Sequence, residues 1–135
     1  MGKPEQQDGF LSHQEIVDIE DDRTIEYTMQ TQGAWKGKRV RLRSIKADER
    51  DIFESRCFLA SERGEPFGMR AELVGKCLVD GNGDRLFAEN QIHLLGAKSG
   101  DALDELFHVC KKHNAMNVAQ MEALAKKSEG PSDSN

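Results

Sequence analysis

The sixteen residues Arg39-Val40-Arg41-Leu42-Arg43-Ser44-Ile45-Lys46-Ala47-Asp48-Glu49-Arg50-Asp51-Ile52-Phe53-Glu54 contain the change of period on which the fold turns. Val40 and Leu42 alternate with Arg39, Arg41 and Arg43, the period-two pattern of a half-buried strand. After Ile45 the period lengthens. Asp48, Glu49 and Asp51 place acidic groups where a helix dipole is positive. Ile52, Phe53, Cys57 and Ala60 can then line one helical face, and Gly64 with Pro66 punctuates its end. On the N-terminal side, Ile25, Tyr27 and Met29 alternate with polar residues and predict a partner strand. Gln32 to Lys38, carrying Gly33 and Gly37, is the connecting loop. The stretch from Ile16 reads as extended, and Ile16, Val17 and Ile19 predict a third strand.

On the C-terminal side, Met69, Leu73 and Cys77 fall on one helical row with Val74 and Leu78 beside it. Asp80-Gly81-Asn82-Gly83-Asp84 stops that helix in a run of turn formers. Leu86 and Phe87 are expected to return to the core before a short helix around Glu89–Leu95. Ser99 is placed to cap the clearest helix, in which Leu103, Leu106, Phe107 and Cys110 recur at i, i+3, i+4 and i+7. A last helix around Asn117–Lys127 has Asn117 and Gln120 as a capping box, with Met116 and Met121 as a hydrophobic staple. The expected fold is α+β: an N-terminal β-hairpin or small antiparallel sheet packed on a C-terminal bundle of four to five short helices. Residues 1–14 are expected to be a flexible N-terminus, 15–127 a single domain, and 128–135 a disordered tail.

A chain of 135 residues is one domain that can bury roughly two thirds of its unfolded surface, so folding requires no disulfide or metal. No apolar run approaches the ~20 residues of a membrane span, and the polar start predicts no signal peptide. Cys57, Cys77 and Cys110 lie far apart with no CxxC, which argues against a disulfide framework and a paired-thiol zinc site. These features predict a soluble protein of a reducing compartment. The net charge of −5 hides an asymmetry: residues 35–46 hold six basic and no acidic side chains, while residues 1–34 hold eight acidic and two basic. A short basic block between acidic segments favours internal pairing or a protein partner over nucleic acid, which usually meets a basic excess over a whole face.

Asp80, Asn82 and Asp84 have the first three ligand positions of a calcium-binding EF-hand loop. The sixth position, however, is Arg85 where the turn needs Gly, and the twelfth is Gln91 where a bidentate Glu must close the site. A plain turn is expected. His108, Cys110 and His113 are close in sequence, but two residues on a helix are about 200° apart, so His108 and Cys110 do not converge on a zinc ion. Phosphate-loop, dinucleotide, zincin and nucleophile-elbow motifs are all missing. No cofactor, no metal and no catalytic residue is expected. Three guanidiniums on one strand face repel unless carboxylates sit opposite. Glu26, or the run Glu20-Asp21-Asp22, can supply them within the chain. Otherwise Arg39, Arg41 and Arg43 face a partner or a neighbouring subunit, whose acidic arm (residues 15–22) has the opposite charge. Only Trp35 is near enough to stack on bases, so nucleic acid at the basic strand 36–46, in a small regulatory protein, is the second reading.

The stretch Val40 to Asn114 resembles the tail assembly chaperones of flexible-tailed bacteriophages. The resemblance rests on ordered features: Val40-Arg41-Leu42-Arg43 running into Ala47-Asp48-Glu49-Arg50-Asp51-Ile52-Phe53-Glu54, then Leu78-Val79-Asp80-Gly81-Asn82-Gly83-Asp84-Arg85-Leu86-Phe87. Asn90-Gln91-Ile92, Leu95-Gly96-Ala97-Lys98-Ser99 and Ala102-Leu103-Asp104-Glu105-Leu106-Phe107 follow. Ala88 and Lys46 depart from it, standing where a Ser or Thr cap is expected. The resemblance implies a non-catalytic factor of the host cytoplasm, absent from the mature virion, that binds the tape measure protein and the major tail tube protein. It also implies self-association into a ring or spiral in some members. A longer form made by translational frameshift is common among them, and Lys126-Lys127 is a candidate slip position. Met-bearing faces adapt to varied apolar surfaces, so Met116 and Met121 join Trp35 and the three arginines as candidate partner-binding residues.

Overall fold

The computed structural model describes residues 9–116. The expected last helix, Met121, the tail 128–135 and residues 1–8 lie outside the described residues. The strand pattern holds. Strand β1 (Thr24–Thr28) pairs antiparallel with β2 (Arg39–Arg43), setting Ile25 opposite Leu42 and Tyr27 opposite Val40. This row faces the core, and Leu42 is fully buried. The third strand is not the one the N-terminal alternation suggested. β3 is Leu78–Val79, pairing with Leu42 and Arg41 in a sheet of order β1-β2-β3.

Residues His13–Asp18 instead form a one-and-a-half-turn helix, α1, which begins inside the segment expected to be loose. Its capping box is complete: Glu15 N donates to Ser12 Oγ at 3.1 Å, and Ser12 N donates to Glu15 Oε1 at 2.8 Å. Ser12-x-x-Glu15 is the sequence signature of that box, and it outweighs the strand expected from Ile16, Val17 and Ile19.

The helical half follows the sequence closely. Helix α2 (Ala47–Arg63) ends at Gly64 with φ 66°, where Glu65 N reaches back to Ala60 O at 3.0 Å. Only a left-handed residue lets the chain close the helix this way. Phe53 is fully buried, whereas Ile52, expected beside it, turns outward and is 49% exposed. Helix α3 (Met69–Cys77) is the central element and packs on α5 (Gly100–His113). A 3₁₀ turn (Glu89–Gln91) and the short α4 (His93–Gly96) close over α3. Ser99 Oγ accepts from Ala102 N and caps α5, whose row Leu103, Leu106, Phe107 and Cys110 is buried as its spacing predicts. Leu86 stays 49% exposed and only Phe87 of that pair packs against the core. The result is an α+β domain in which the β1–β2 hairpin precedes α2 and α3, and β3, following α3, completes a three-stranded antiparallel sheet.

Gly75 sets the distance between α3 and the residues entering α4. A Cβ there would sit 2.8 Å from Ile92 Cγ1 and 3.2 Å from its Cδ1. Helix propensity alone favours Gly→Ala by about 1 kcal/mol, but overpacking a close contact costs about 1–3 kcal/mol. The overlap involves a branch carbon held near its backbone, so packing wins. Gly75→Ala should lower stability in urea unfolding. The double variant Gly75→Ala, Ile92→Ala should lose less than the two single losses added, because the clash is gone.

Candidate functional site

The three arginines of β2 share a face but not a fate. Arg43 is drawn inward. Its guanidinium makes two parallel bonds to Glu49, at 3.0 and 2.8 Å, and its Nε donates to Lys76 O at 2.8 Å. Burial pushes Glu49 up, but the Arg43 bonds and the Lys46 backbone N–H prevail, leaving its pKa below the ordinary value. Glu49 thereby replaces the missing side-chain cap at Lys46, accepting from Lys46 N at 2.8 Å. At the start of the 3₁₀ turn, Gln91 does the same for Ala88 N at 3.0 Å. Arg43 is therefore part of the joint between sheet and helices, not a free docking residue.

Arg39 and Arg41 stay at the surface and share one carboxylate, Glu26, at 3.5 and 3.4 Å. Arg39, Val40, Arg41, Val79 and Leu86 line an open cleft of about 510 Å³ beside the short third strand. Trp35, on the hairpin loop, is half-buried and rests against the core. With Ala34 and Val40 it floors a second depression of about 340 Å³, flanked by Lys38 and Lys98. Met116 is only 6% exposed and belongs to the core cluster, so it supplies packing and not surface. Met69 packs beside Cys57, sulfur to sulfur, at 3.9 Å. Of the expected docking set, the structure brings Trp35, Arg39 and Arg41 to neighbouring surface depressions and withdraws Arg43 and Met116.

Other candidate chemistry resolves into structure. The Asp80 carboxylate accepts from Asn82 N at 2.8 Å and Asp84 N at 3.0 Å, so it braces its own turn. His108 Nδ1 lies 2.8 Å from Asp104 O, Cys110 is buried, and His113 Nε2 lies 2.8 Å from Arg23 O, so the three do not meet. Among the described residues no cluster of His, Cys, Asp and Glu could hold a metal ion. Burial, with Glu54 and Glu72 adding to it, pushes the Cys57 thiol up to about 11; the contact with Cys77 and burial raise Cys110 too. Neither is a thiolate near neutral pH. An ionic chain runs from Arg56 to Glu72, from Glu72 to buried Lys76 at 3.2 Å, and on to Glu89 at 3.0 Å. It borders a groove of about 610 Å³ between α3 and α4.

What sequence reading missed is apolar. Phe10, Leu11, Ile16, Val17 and Ile19 are 75, 59, 58, 62 and 46% exposed, and α1 buries none of its residues. The acidic flanks drew attention to charge, yet the helix signal at Ser12-x-x-Glu15 was there to be read. No family model, curated protein or solved structure matches the chain.

Two outcomes follow from this geometry. Arg43→Ala should cost about 1.5–3 kcal/mol, since it removes charge-assisted bonds at a poorly solvated joint. Arg39→Ala, with 73% of its side chain exposed, should cost no more than about 0.5 kcal/mol. Urea melts of both variants check this. The second outcome concerns Glu105. Burial raises its pKa, but hydrogen bonds from Thr31, Tyr27 and Gln30 prevail and hold it at about 2, against an ordinary 4.5. A depressed carboxylate stabilises the fold above its unfolded pKa, and that contribution is lost as pH falls from 4.5 towards 2. Glu105→Gln should therefore lower Tm at pH 7 and flatten its fall between pH 5 and 3.

Proposed function

We propose that this chain is a non-catalytic assembly chaperone of a flexible-tailed phage, acting in the host cytoplasm and absent from the mature virion. It binds the tape measure protein and presents it to tail tube subunits while the tail is built. The observation that carries the reading is apolar surface on ordered helices. On α2, Ile52 (49% exposed) and Leu59 (39% exposed) lie two turns apart on one outward row, a spacing suited to another helix laid alongside. A long helical tape measure exposes apolar surface until the tube encloses it. Covering that surface requires a matching apolar row and no chemistry.

The residues that carry the resemblance support the reading in another way. They are turn, cap and core residues in this chain: the Asp80 turn, the Ser99 cap, the Leu103–Phe107 row and Asn114. The second reading, nucleic acid at residues 36–46, is weakened by pairing. Arg43 is bound to Glu49, Lys46 to Asp22, and Arg39 and Arg41 to Glu26. Few cations of the block remain to neutralise phosphates.

Co-expression with a tape measure protein of a flexible-tailed phage is the test. The chain should keep the tape measure protein in solution and co-purify with it, and Ile52→Asp with Leu59→Asp should abolish this without lowering Tm. No effect on tape measure solubility would remove the reading. Duplex DNA binding that weakens steeply with salt would replace it with the nucleic-acid reading.

A further inference from the structure

We infer that the N-terminal arm, Phe10–Ile19, docks onto a second copy of this chain at the depression floored by Trp35 and Val40. The inference stands on the arm and the depression alone, whatever the domain's role in assembly. Five large apolar side chains within ten residues are each 46% exposed or more. Soluble monomers seldom leave so dense an apolar segment uncovered. Helix α1 has only six residues, and a helix that short is far below the ~12–15 needed to persist alone in water. Its capping box defines a shape, but no buried face holds it. The missing stabilisation has to come from a surface that receives Leu11, Ile16, Val17 and Ile19.

The arm's root is fixed. Arg23 N donates to Ser44 Oγ at 3.0 Å, Ser44 N donates to Arg23 O at 2.7 Å, and Lys46 pairs with Asp22. These bonds pin the arm to the Thr24 end of β1. The depression lies at the other end of the hairpin, where Thr28 faces Arg39 and the loop carries Trp35. The arm is therefore projected from one end of the sheet and its acceptor sits at the opposite end, the arrangement that lets one subunit reach the next.

Chemistry favours this acceptor over the cleft beside β3 and the groove between α3 and α4, the other two depressions described among residues 9–116. Its floor is Ala34, Trp35 and Val40, its flanks are Lys38 and Lys98, and among the described residues no acidic side chain lines it. The arm carries Glu15 and Asp18 within α1 and Glu20, Asp21 and Asp22 after it, with no Lys or Arg between residues 9 and 22. Apolar side chains meet an apolar floor while carboxylates meet two ammonium groups. The cleft beside β3 is a poorer match, because Glu26 and Asp80 line it. The groove between α3 and α4 is poorer still, being bordered by Glu72 and Glu89. A contact of this kind is head-to-tail, and it closes as a ring or reciprocal dimer or continues as a filament.

Trp35 is the chain's one tryptophan, so its emission reports the acceptor directly. With rising concentration of the full chain, light-scattering mass should climb above the 15.1 kDa monomer while Trp35 emission shifts to the blue. Ile16→Asp with Val17→Asp should hold the protein monomeric and leave Tm nearly unchanged, since α1 has no buried residue in the single chain. Lys38→Glu with Lys98→Glu should weaken association, and adding Glu20→Lys with Asp21→Lys should restore it, each effect shrinking at high salt. A wild type that stays monomeric at every soluble concentration would overturn the inference. So would an arm variant that associates like wild type, or a blue shift independent of concentration, which would place the arm on its own chain.

Discussion

One carboxylate holds the sheet to the helices. Glu105, in the middle of α5, accepts from Tyr27 Oη at 2.6 Å, Gln30 N at 2.8 Å, Thr31 N at 3.0 Å and Thr31 Oγ1 at 2.6 Å. Those donors are the end of β1 and the start of the hairpin loop. The hairpin is small, and two strands with one apolar face are marginal in water. It persists because α5 grips both of its ends. At the far end Asn114, just past α5, accepts from Ile45 N at 2.7 Å and donates to Cys110 O at 2.9 Å, while its own carbonyl accepts from Arg50 at 3.2 Å. His113 and Arg23 exchange a further pair of contacts at 2.8 and 2.9 Å. With both ends held, Leu42 and Met29 can be driven into the helical core without letting the sheet slide.

This arrangement explains how a domain with 32% charged residues keeps a continuous core. Charge is spent at joints. Arg43 with Glu49 ties β2 to the first turn of α2, and Lys76 with Glu72 and Glu89 ties α3 to the 3₁₀ turn. Lys76 is 4% exposed, and the carboxylates of Glu72 and Glu89 both face its Nζ. Ion pairs so placed do more to select one arrangement of elements than to add net stability, since desolvation offsets much of the attraction. The exposed pairs, such as Arg70 with Asp104, contribute less again.

Most of the fold was legible because its signals are local. The Arg39–Arg43 alternation, the Ser99 cap, the turn at Asp80 and the Leu103–Cys110 row each follow from a few neighbouring side chains. β3 was not legible. Leu78 and Val79 continue the apolar row of α3, and two residues carry no period of their own. They become a strand because the Asp80 turn sends the chain back, bridging Val79 to Arg85, and because the open edge of β2 needs a partner. The candidate site was half legible for a related reason. An alternating row of arginines says which face they share, but not which of them a distant helix will claim. Glu49 and the Lys76 carbonyl claim Arg43, and Met116 is drawn into a core that residues from Met29 to Cys110 build together.

The arm illustrates the opposite case, in which local signals are complete and tertiary ones are missing. Ser12 and Glu15 satisfy each other's backbone groups, so the six residues have a helical start without any neighbour. An arm that buried its apolar residues in its own domain could recognise nothing else. An arm without its carboxylates would expose an apolar segment free to stick to any other. Placing Glu15, Asp18, Glu20, Asp21 and Asp22 around Ile16, Val17 and Ile19 keeps the segment solvated and repels copies of itself, while leaving it attractive to an apolar surface edged by cations. The same separation holds in the body, where Ile52 and Leu59 stand on a helix rich in both charge signs. In the docking we infer, selectivity comes from what the charges forbid at least as much as from what the apolar groups gain.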